Sequence, residues 1–364
     1  MIRHFEYVMH RISRTLFRQN FGSDLSSPFN QPNLSMKINN RLIVPYTVSL
    51  SAFAVVMLLC SQKASAQTDT KKIVRVFILA GQSNMVGMGR VAMDPAVNEG
   101  KGTLGYLVKN PETASKYANL VNADGSWKIR NDVMTYFKRE EDIKSGGLTV
   151  GFGGGDNSIG PELEFGTVVG DAITAPVLLI KQAWGGKSLC VDFRPPSSGR
   201  KLGEFYTATV NGTKDVMKNF KTLYPQWKEY TPQIAGFGWF QGWNDRCDDG
   251  TASREYEVNM VNFIKDIRKD LALPNMPFVI GECGLCGPNE TNPNALLVMK
   301  AQKAAAEKPV FKGNVAFVGT VNFYREPSES PTTEWHHWHQ NAESYCLVGE
   351  GMGHAMLKLL APKK

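Results

Sequence analysis

Residues 73–85 read IVRVFILAGQSNM. The run Ile73–Ala80 is apolar apart from Arg75, and an almost continuous apolar run of this length suits a strand covered on both faces, as in a parallel sheet. Gly81 permits a tight turn at its end. Ser83 then sits where a strand turns toward a helix, a place from which a hydroxyl projects into a cleft and helix N–H groups meet a developing oxyanion. The same position also suits a helix N-cap, since Ser and Asn are preferred there. Local spacing does not choose between the two. The pattern is not the G-x-S-x-G elbow, because Met85 stands where the second glycine would be.

Four similar runs follow: Val177–Ala183 (VLLIKQA), Ile234–Phe240 (IAGFGWF), Phe278–Gly281 and Val315–Val321 (VAFVGTV). Between them lie helical patterns. Glu162–Ala172 begins after Gly160-Pro161, with proline at a helix start. Tyr256–Leu271 places Val258, Phe263, Ile264, Ile267 and Leu271 on one face. Ala295–Glu307 and Ala342–Leu360 complete the set. Strands alternating with helices predict an α/β domain with right-handed crossovers, here five parallel strands in one domain from about residue 70 to 364. The glycine-rich stretch Gly146–Gly155 reads as a loop near the sheet edge or the site.

Ligands in such sheets bind beyond the carboxyl ends of the strands. After the second run comes Trp184-Gly185-Gly186-Lys187-Ser188, where paired glycines serve either a plain turn or a backbone N–H facing an oxyanion. After the third comes Gln241-Gly242-Trp243-Asn244-Asp245, where Asn244 either donates its amide or closes an Asx-turn. Past the first 66 residues the histidines are His336, His337, His339 and His354. A serine activated by an imidazole must draw its base from these four. His354 falls inside the last helical pattern. The others lie in Glu334-Trp335-His336-His337-Trp338-His339, and Glu334 stands three residues before His337, where a carboxylate can fix the imidazole's tautomer. The three histidines with Cys283 and Cys286 also have zinc-ligand chemistry. H-H-x-H in a loop is a weak ligand spacing, however, and CxxC in an exported chain is more simply a disulfide. No metal or organic cofactor is therefore expected. A thioredoxin-like reading of Cys283–Cys286 fails because the following GPNETNPNA is rich in turn formers.

Together GQSNM, AWGGKS, QGWND and the Glu334…His337 pair resemble the blocks of SGNH hydrolases, and more narrowly the sialate O-acetylesterase-like domain and carbohydrate esterase family 6. Gly160-Pro161-Glu162 and LPNMPFVIGECG are similar to further family elements. The resemblance runs from about residue 73 to 361. It implies a flavodoxin-like three-layer α/β/α sandwich in which Ser83 attacks an ester carbonyl, His337 takes its proton and Glu334 orients the histidine. It also implies an oxyanion hole from the Ser83 N–H, Gly186 of the glycine pair and the Asn244 amide. Gln82, Gln241, Trp243 and Trp184 are the candidate substrate contacts. Two departures stand out. Glu334 replaces the usual Asp, and Trp243 occupies the third-block position where Glu is frequent. His336 and His339 remain alternative bases. Trp184, Trp239, Trp243, Trp335 and Trp338 could stack on sugar faces, although large aromatics more often pack inside.

The 364 residues carry a formal charge of +7, but residues 1–66 hold seven Lys/Arg against two acids. The remaining balance is near +2, which leaves no basic stripe for nucleic acid. From Met36 the chain reads as a signal peptide: Lys37 and Arg41, an apolar stretch from Thr47 to Leu59, and Ala64-Ser65-Ala66 before Gln67. The apolar stretch is short for a spanning helix. The expectation is a leader over 1–66, with residues 1–35 a mis-called start or an extension, and a catalytic domain over 67–364. The protein would be periplasmic or secreted, with no stable membrane insertion after cleavage. Five cysteines would remain, and Cys283–Cys286 is a candidate disulfide. The expected activity is removal of O-acetyl groups from acetylated carbohydrate. The rivals are an SGNH esterase or lipase acting on other acyl esters, a non-catalytic carbohydrate-binding protein on the same fold, and a peptidase.

Overall fold

The structure is a computed structural model that describes residues 72–362 apart from 140, 141 and 285. The expected leader, with its signal segment 36–66, lies outside the described residues. All elements below belong to the unit Asp69–Lys364.

Seven strands form one sheet: β1 (Ile73–Gly81), β2 (Arg130–Arg139), β3 (Asp142–Leu148), β4 (Val177–Ala183), β5 (Thr231–Phe240), β6 (Phe278–Gly281) and β7 (Val315–Val318). Their order is β3-β2-β4-β1-β5-β6-β7. Every neighbouring pair is parallel except β2 and β3, which form an antiparallel hairpin. The five apolar runs supply β1 and β4–β7. The expected five-stranded parallel sheet is therefore corrected to a mostly parallel sheet of seven. In β2 the residues Val133, Thr135 and Phe137 are buried, but Lys138 and the charged sequence that follows it dilute the pattern. Strand β3 is the sheet edge, and its Asp142, Lys144 and two glycines suit an unpaired edge rather than a core. The glycine-rich stretch thus begins inside an edge strand, and only its remainder is loop.

Five long helices cover the sheet: α1 (Glu162–Ala172), α2 (Glu204–Lys218), α3 (Thr251–Asp270), α4 (Pro293–Ala306) and α5 (Ala342–Leu360). Alternate residues of a strand point to opposite faces, and this sorts the layers. Phe77 of β1 meets Phe165 of α1, with ring centroids 5.6 Å apart. Its register partner in β5 is Gly236, over which Met356 of α5 lies. The next β5 residues facing the other way, Phe237 and Trp239, pack on Phe263 of α3 at 6.0 and 4.5 Å. Helix α2 joins that layer through Tyr206 on Phe263, and α4 packs along α3. The result is helix, sheet, helix. Helices α1 and α5 cross at Gly349, where a Cβ would lie 2.2 Å from the Pro161 carbonyl oxygen. That backbone approach is open only to glycine. On α3 the buried stripe is Tyr256, Met260, Phe263, Ile264 and Ile267; Val258, expected on that face, is 62% exposed. Among the described residues no helix is long and apolar enough to cross a membrane. Cys190, Cys247, Cys283, Cys286 and Cys346 are all free thiols, so the expected Cys283–Cys286 pair is not formed.

Candidate active site

Strand register assembles the site. Gly81, the last residue of β1, is flanked by Ala183 at the end of β4 and Phe240 at the end of β5. The three segments that follow therefore leave the sheet side by side. A Cβ on Gly81 would lie 2.1 Å from the Phe240 carbonyl oxygen, so only glycine lets the chain turn here.

Ser83 opens a single helical turn, Ser83–Val86, and is 7% exposed. The N-cap residue is Gln82, with no side-chain capping bond, so the serine hydroxyl is not spent as a cap. The turn is held from below by a buried ion pair that sequence reasoning overlooked. Lys181 of β4 donates from Nζ to the Val86 carbonyl (2.7 Å), the Phe152 carbonyl (2.7 Å) and Glu162 Oε2 (2.6 Å). Both side chains are fully buried. A lysine inside an otherwise apolar run was the signal, since buried charges must be paired.

Gln82 and Gln241, expected to face substrate, instead tie the blocks to one another. Gln82 Oε1 accepts from Gly242 N, Asn244 N and Gln241 Nε2 at 3.1, 3.2 and 3.2 Å, and Gln82 Nε2 donates to Asn244 Oδ1 at 3.0 Å. Gln241 Nε2 also reaches the Lys187 carbonyl (3.0 Å) and Asp245 Oδ2 (2.6 Å). Both glutamines are almost wholly buried. Asp245, not singled out from the sequence, is the hub. Its Oδ2 accepts Leu189 N and its Oδ1 accepts Cys190 N, each at 2.8 Å. Burial raises its carboxyl to about 7, against donors that favour the ionised form.

The histidine block closes over this frame. Asn84 Nδ2 donates to the His336 carbonyl (3.1 Å), and the Tyr345 hydroxyl of α5 reaches both Asn84 Oδ1 (2.7 Å) and the His337 carbonyl (3.3 Å). The residue after Ser83 is thus tied to the backbone on either side of the His336–His337 peptide. His337 Nδ1 lies 2.9 Å from Glu334 Oε1, and His336 Nε2 lies 3.0 Å from the same oxygen. Glu334 Oε2 accepts from Gln340 Nε2 at 2.6 Å. Burial tends to raise the Glu334 carboxyl, but the bonds from Gln340 and His337 outweigh it and hold it below the usual carboxylate range. Burial, aided by neighbouring His336, pushes the His337 imidazole below its ordinary value, with Glu334 opposing. His339 is buried, with its ring nitrogen 3.3 Å from the Tyr324 hydroxyl. His354 is exposed on α5, as its helical position suggested. Trp338, His339 and Gln340 have φ of 53°, 54° and 56°. Each such non-glycine residue costs on the order of 1–2 kcal/mol, which the surrounding contacts must offset.

The other site candidates are arranged around this centre. Gly186 has φ 66°, and a Cβ on it or on Gly185 would meet nothing within 4 Å, so this backbone borders open space. With Oδ1 engaged by Gln82, the Asn244 amide nitrogen is left to point elsewhere. A groove of about 770 Å³ runs beside the Ser83 turn, lined by Val86, Met88, Trp184, Gly185, Lys187 and Phe205 among others. Trp243 packs on Trp335 (ring centroids 4.4 Å) and on His336 (5.7 Å). Trp335 is 46% exposed, whereas Trp239 and Trp338 are buried in the core and drop out as sugar platforms.

Residues 73–358 match the profile of a family described as carbohydrate esterase, sialic acid-specific acetylesterase. The chain belongs to this family. Ser83, Glu334 and His337 all fall within the matched span. A probable carbohydrate esterase of Arabidopsis thaliana is 26% identical over 209 residues, covering 56% of this chain and 67% of that protein. Among solved structures, an Arabidopsis thaliana protein superposes with a TM-score of 0.49 at 18% identity, over 78% of this chain and 97% of its own. The structure of NanS gives 0.49 at 14% identity, over 79% and 97%. As a member of the carbohydrate esterase family, the protein is an ester hydrolase.

Proposed function

We propose that this family member is an exported serine esterase that removes O-acetyl groups from carbohydrate through an acyl-enzyme. Ser83 attacks the acetyl carbonyl, His337 takes the serine proton and returns it to the departing sugar hydroxyl, and water activated by the same imidazole frees acetate. The Ser83 N–H, Gly186 N–H and Asn244 amide face the oxyanion. Gln82 and Gln241 act as scaffold, while Trp184 and Trp243 border the sugar.

One observation carries this reading: the 2.9 Å contact of His337 Nδ1 with Glu334, on a segment tied to Asn84 beside Ser83. It leaves Nε2 as the reacting nitrogen, the arrangement a triad requires. His336 meets Glu334 through Nε2, so its remaining nitrogen lies next to its own backbone, which makes it the poorer base. Family membership supports the ester chemistry, and the aromatic sides of the cleft support a carbohydrate leaving group.

The test is acetate release from acetylated xylan and from 4-nitrophenyl acetate by protein starting at Gln67. Ser83→Ala and His337→Ala should each lose several orders of magnitude, up to about 10⁶ for a unit of this kind. Turnover that survives in Ser83→Ala would remove the nucleophile. Export is tested by whether the full-length chain is processed at Gln67 and recovered outside the cytoplasm.

A further inference from the structure

Glu334, His336 and His337 do more than form a hydrogen-bonded pair. One donor atom from each lies within 4.8 Å of the others. Glu334 Oε1 is the common point, 3.0 Å from His336 Nε2 and 2.9 Å from His337 Nδ1. Two imidazoles and a carboxylate are a zinc-class ligand set that leaves a fourth position open. Ligands about 2.0–2.1 Å from a tetrahedral ion stand roughly 3.3 Å apart, so these contacts need to open by only a few tenths of an ångström. The His336 side chain is 39% exposed and that of Glu334 33%, which gives an ion a way in. Arg246, which packs on the same Trp243 ring as His336, is neutralised by Glu290 at 2.8 Å.

We propose that Glu334, His336 and His337 form a binding site for a zinc-class transition-metal ion, and that filling it switches hydrolysis off. The binding stands on the ligand geometry alone; the inhibition rests on His337 being the base. The chemistry is the same whichever ring nitrogen of His337 is used. Ligation through Nε2 occupies the lone pair that would take the serine proton. Ligation through Nδ1 displaces the proton held toward Glu334, and the neutral ring then carries that proton on Nε2, taken up through solvent. In both cases the imidazole has no free electron pair for Ser83. The ion also takes the carboxylate that orients the ring. This is an off-switch built from the catalytic pair and one extra histidine.

The test uses Zn²⁺ and Co²⁺ with chelator-treated protein starting at Gln67. Calorimetry should give one Zn²⁺ site in the wild type and in Ser83→Ala. In His336→Gln, loss of one of three ligands should weaken it by at least about tenfold. Co²⁺ should develop visible ligand-field absorption in the first two and not in His336→Gln, whose fold is checked by a thermal melt. Esterase activity of the metal-free wild type at pH 8 should fall in step with Zn²⁺ occupancy and return with EDTA, while His336→Gln should stay active at the same Zn²⁺ concentration. Equal binding in wild type and His336→Gln would overturn the site. A filled site with unchanged activity would overturn the switch and count against His337 as base. Metal-free enzyme that is inactive until Zn²⁺ is added would overturn it in the other direction, making the ion an activator. Activity of Ser83→Ala is read separately, so failure of the serine mechanism is distinguishable from failure of metal binding.

Discussion

Asp245 offers the sharpest test of how the site is held. Its two oxygens accept three buried donors: Leu189 N at 2.8 Å and Gln241 Nε2 at 2.6 Å on Oδ2, and Cys190 N at 2.8 Å on Oδ1. Asp245→Ala orphans the Leu189 and Cys190 N–H groups and removes one of the three acceptors of Gln241 Nε2, which keeps Gln82 Oε1 and the Lys187 carbonyl. A buried donor left unpaired costs about 1–3 kcal/mol, so the variant should lose about 2–6 kcal/mol. Asp245→Asn keeps an oxygen for the two donors on the Oδ2 side and turns an amide toward Cys190 N, so about 1–3 kcal/mol is expected. Urea unfolding at pH 7 measures both. A second effect follows, because Gln241 also holds the Lys187 carbonyl next to Gly186. With Asp245 gone, the glycine loop shifts, and a displacement near 1 Å can cost about 100-fold in rate. kcat/KM on 4-nitrophenyl acetate should therefore fall in Asp245→Ala under conditions where the protein remains folded. An Asp245→Ala protein within about 1 kcal/mol of wild type would refute the hydrogen-bond count. Full activity in a destabilised but folded variant would show that the network braces the fold without placing the loop.

Three further outcomes follow from particular contacts. With His337 as the proposed base, which must be unprotonated to act, kcat/KM should rise with pH through a limb centred below the ordinary histidine value, because burial and His336 both lower the His337 pKa. His336→Gln should move that limb to higher pH and Glu334→Gln to lower pH, the latter with a large drop in rate, and a pH–rate profile for each variant decides. Lys181→Met leaves Glu162 buried without its counter-ion, with the Gly160 N–H still donating to it, which should cost about 3–5 kcal/mol of stability in a denaturant titration and loosen the Ser83 turn held at the Val86 carbonyl. Gly349→Ala drives a methyl group into the Pro161 carbonyl and should lower the thermal midpoint, with a loss of about 1–3 kcal/mol as the α1–α5 crossing opens.

The sequence determined the strands that are buried on both faces, because continuous apolar runs admit little else: β1 and β4 through β7 were all legible, and so were α1, α3, α4 and α5. It also set the short list of possible bases, since only four histidines follow residue 66, and it supplied the family resemblance that family membership bears out. What it hid were elements whose pattern is diluted by charge or glycine. The β2–β3 pair alternates correctly at Val133, Thr135 and Phe137 but continues into charged sequence and a glycine-bearing edge strand. Likewise α2 lacks a continuous apolar stripe. Only tertiary structure decided what the polar residues of the motifs do. Gln82 and Gln241 were candidate substrate contacts by resemblance, and the bonds that tie Gln82 to Gln241 and Gly242 join residues about 160 apart in the chain. Asp245 was not singled out, and its backbone partners Leu189 and Cys190 lie more than 50 residues away. In the proposed mechanism, the preference for His337 over His336 turns on which ring nitrogen meets Glu334. Three consecutive left-handed residues set that geometry, and long-range contacts from Asn84 and Tyr345 hold it. Apolar burial is a local property that a sequence displays; hydrogen-bond satisfaction depends on the partners that folding brings together.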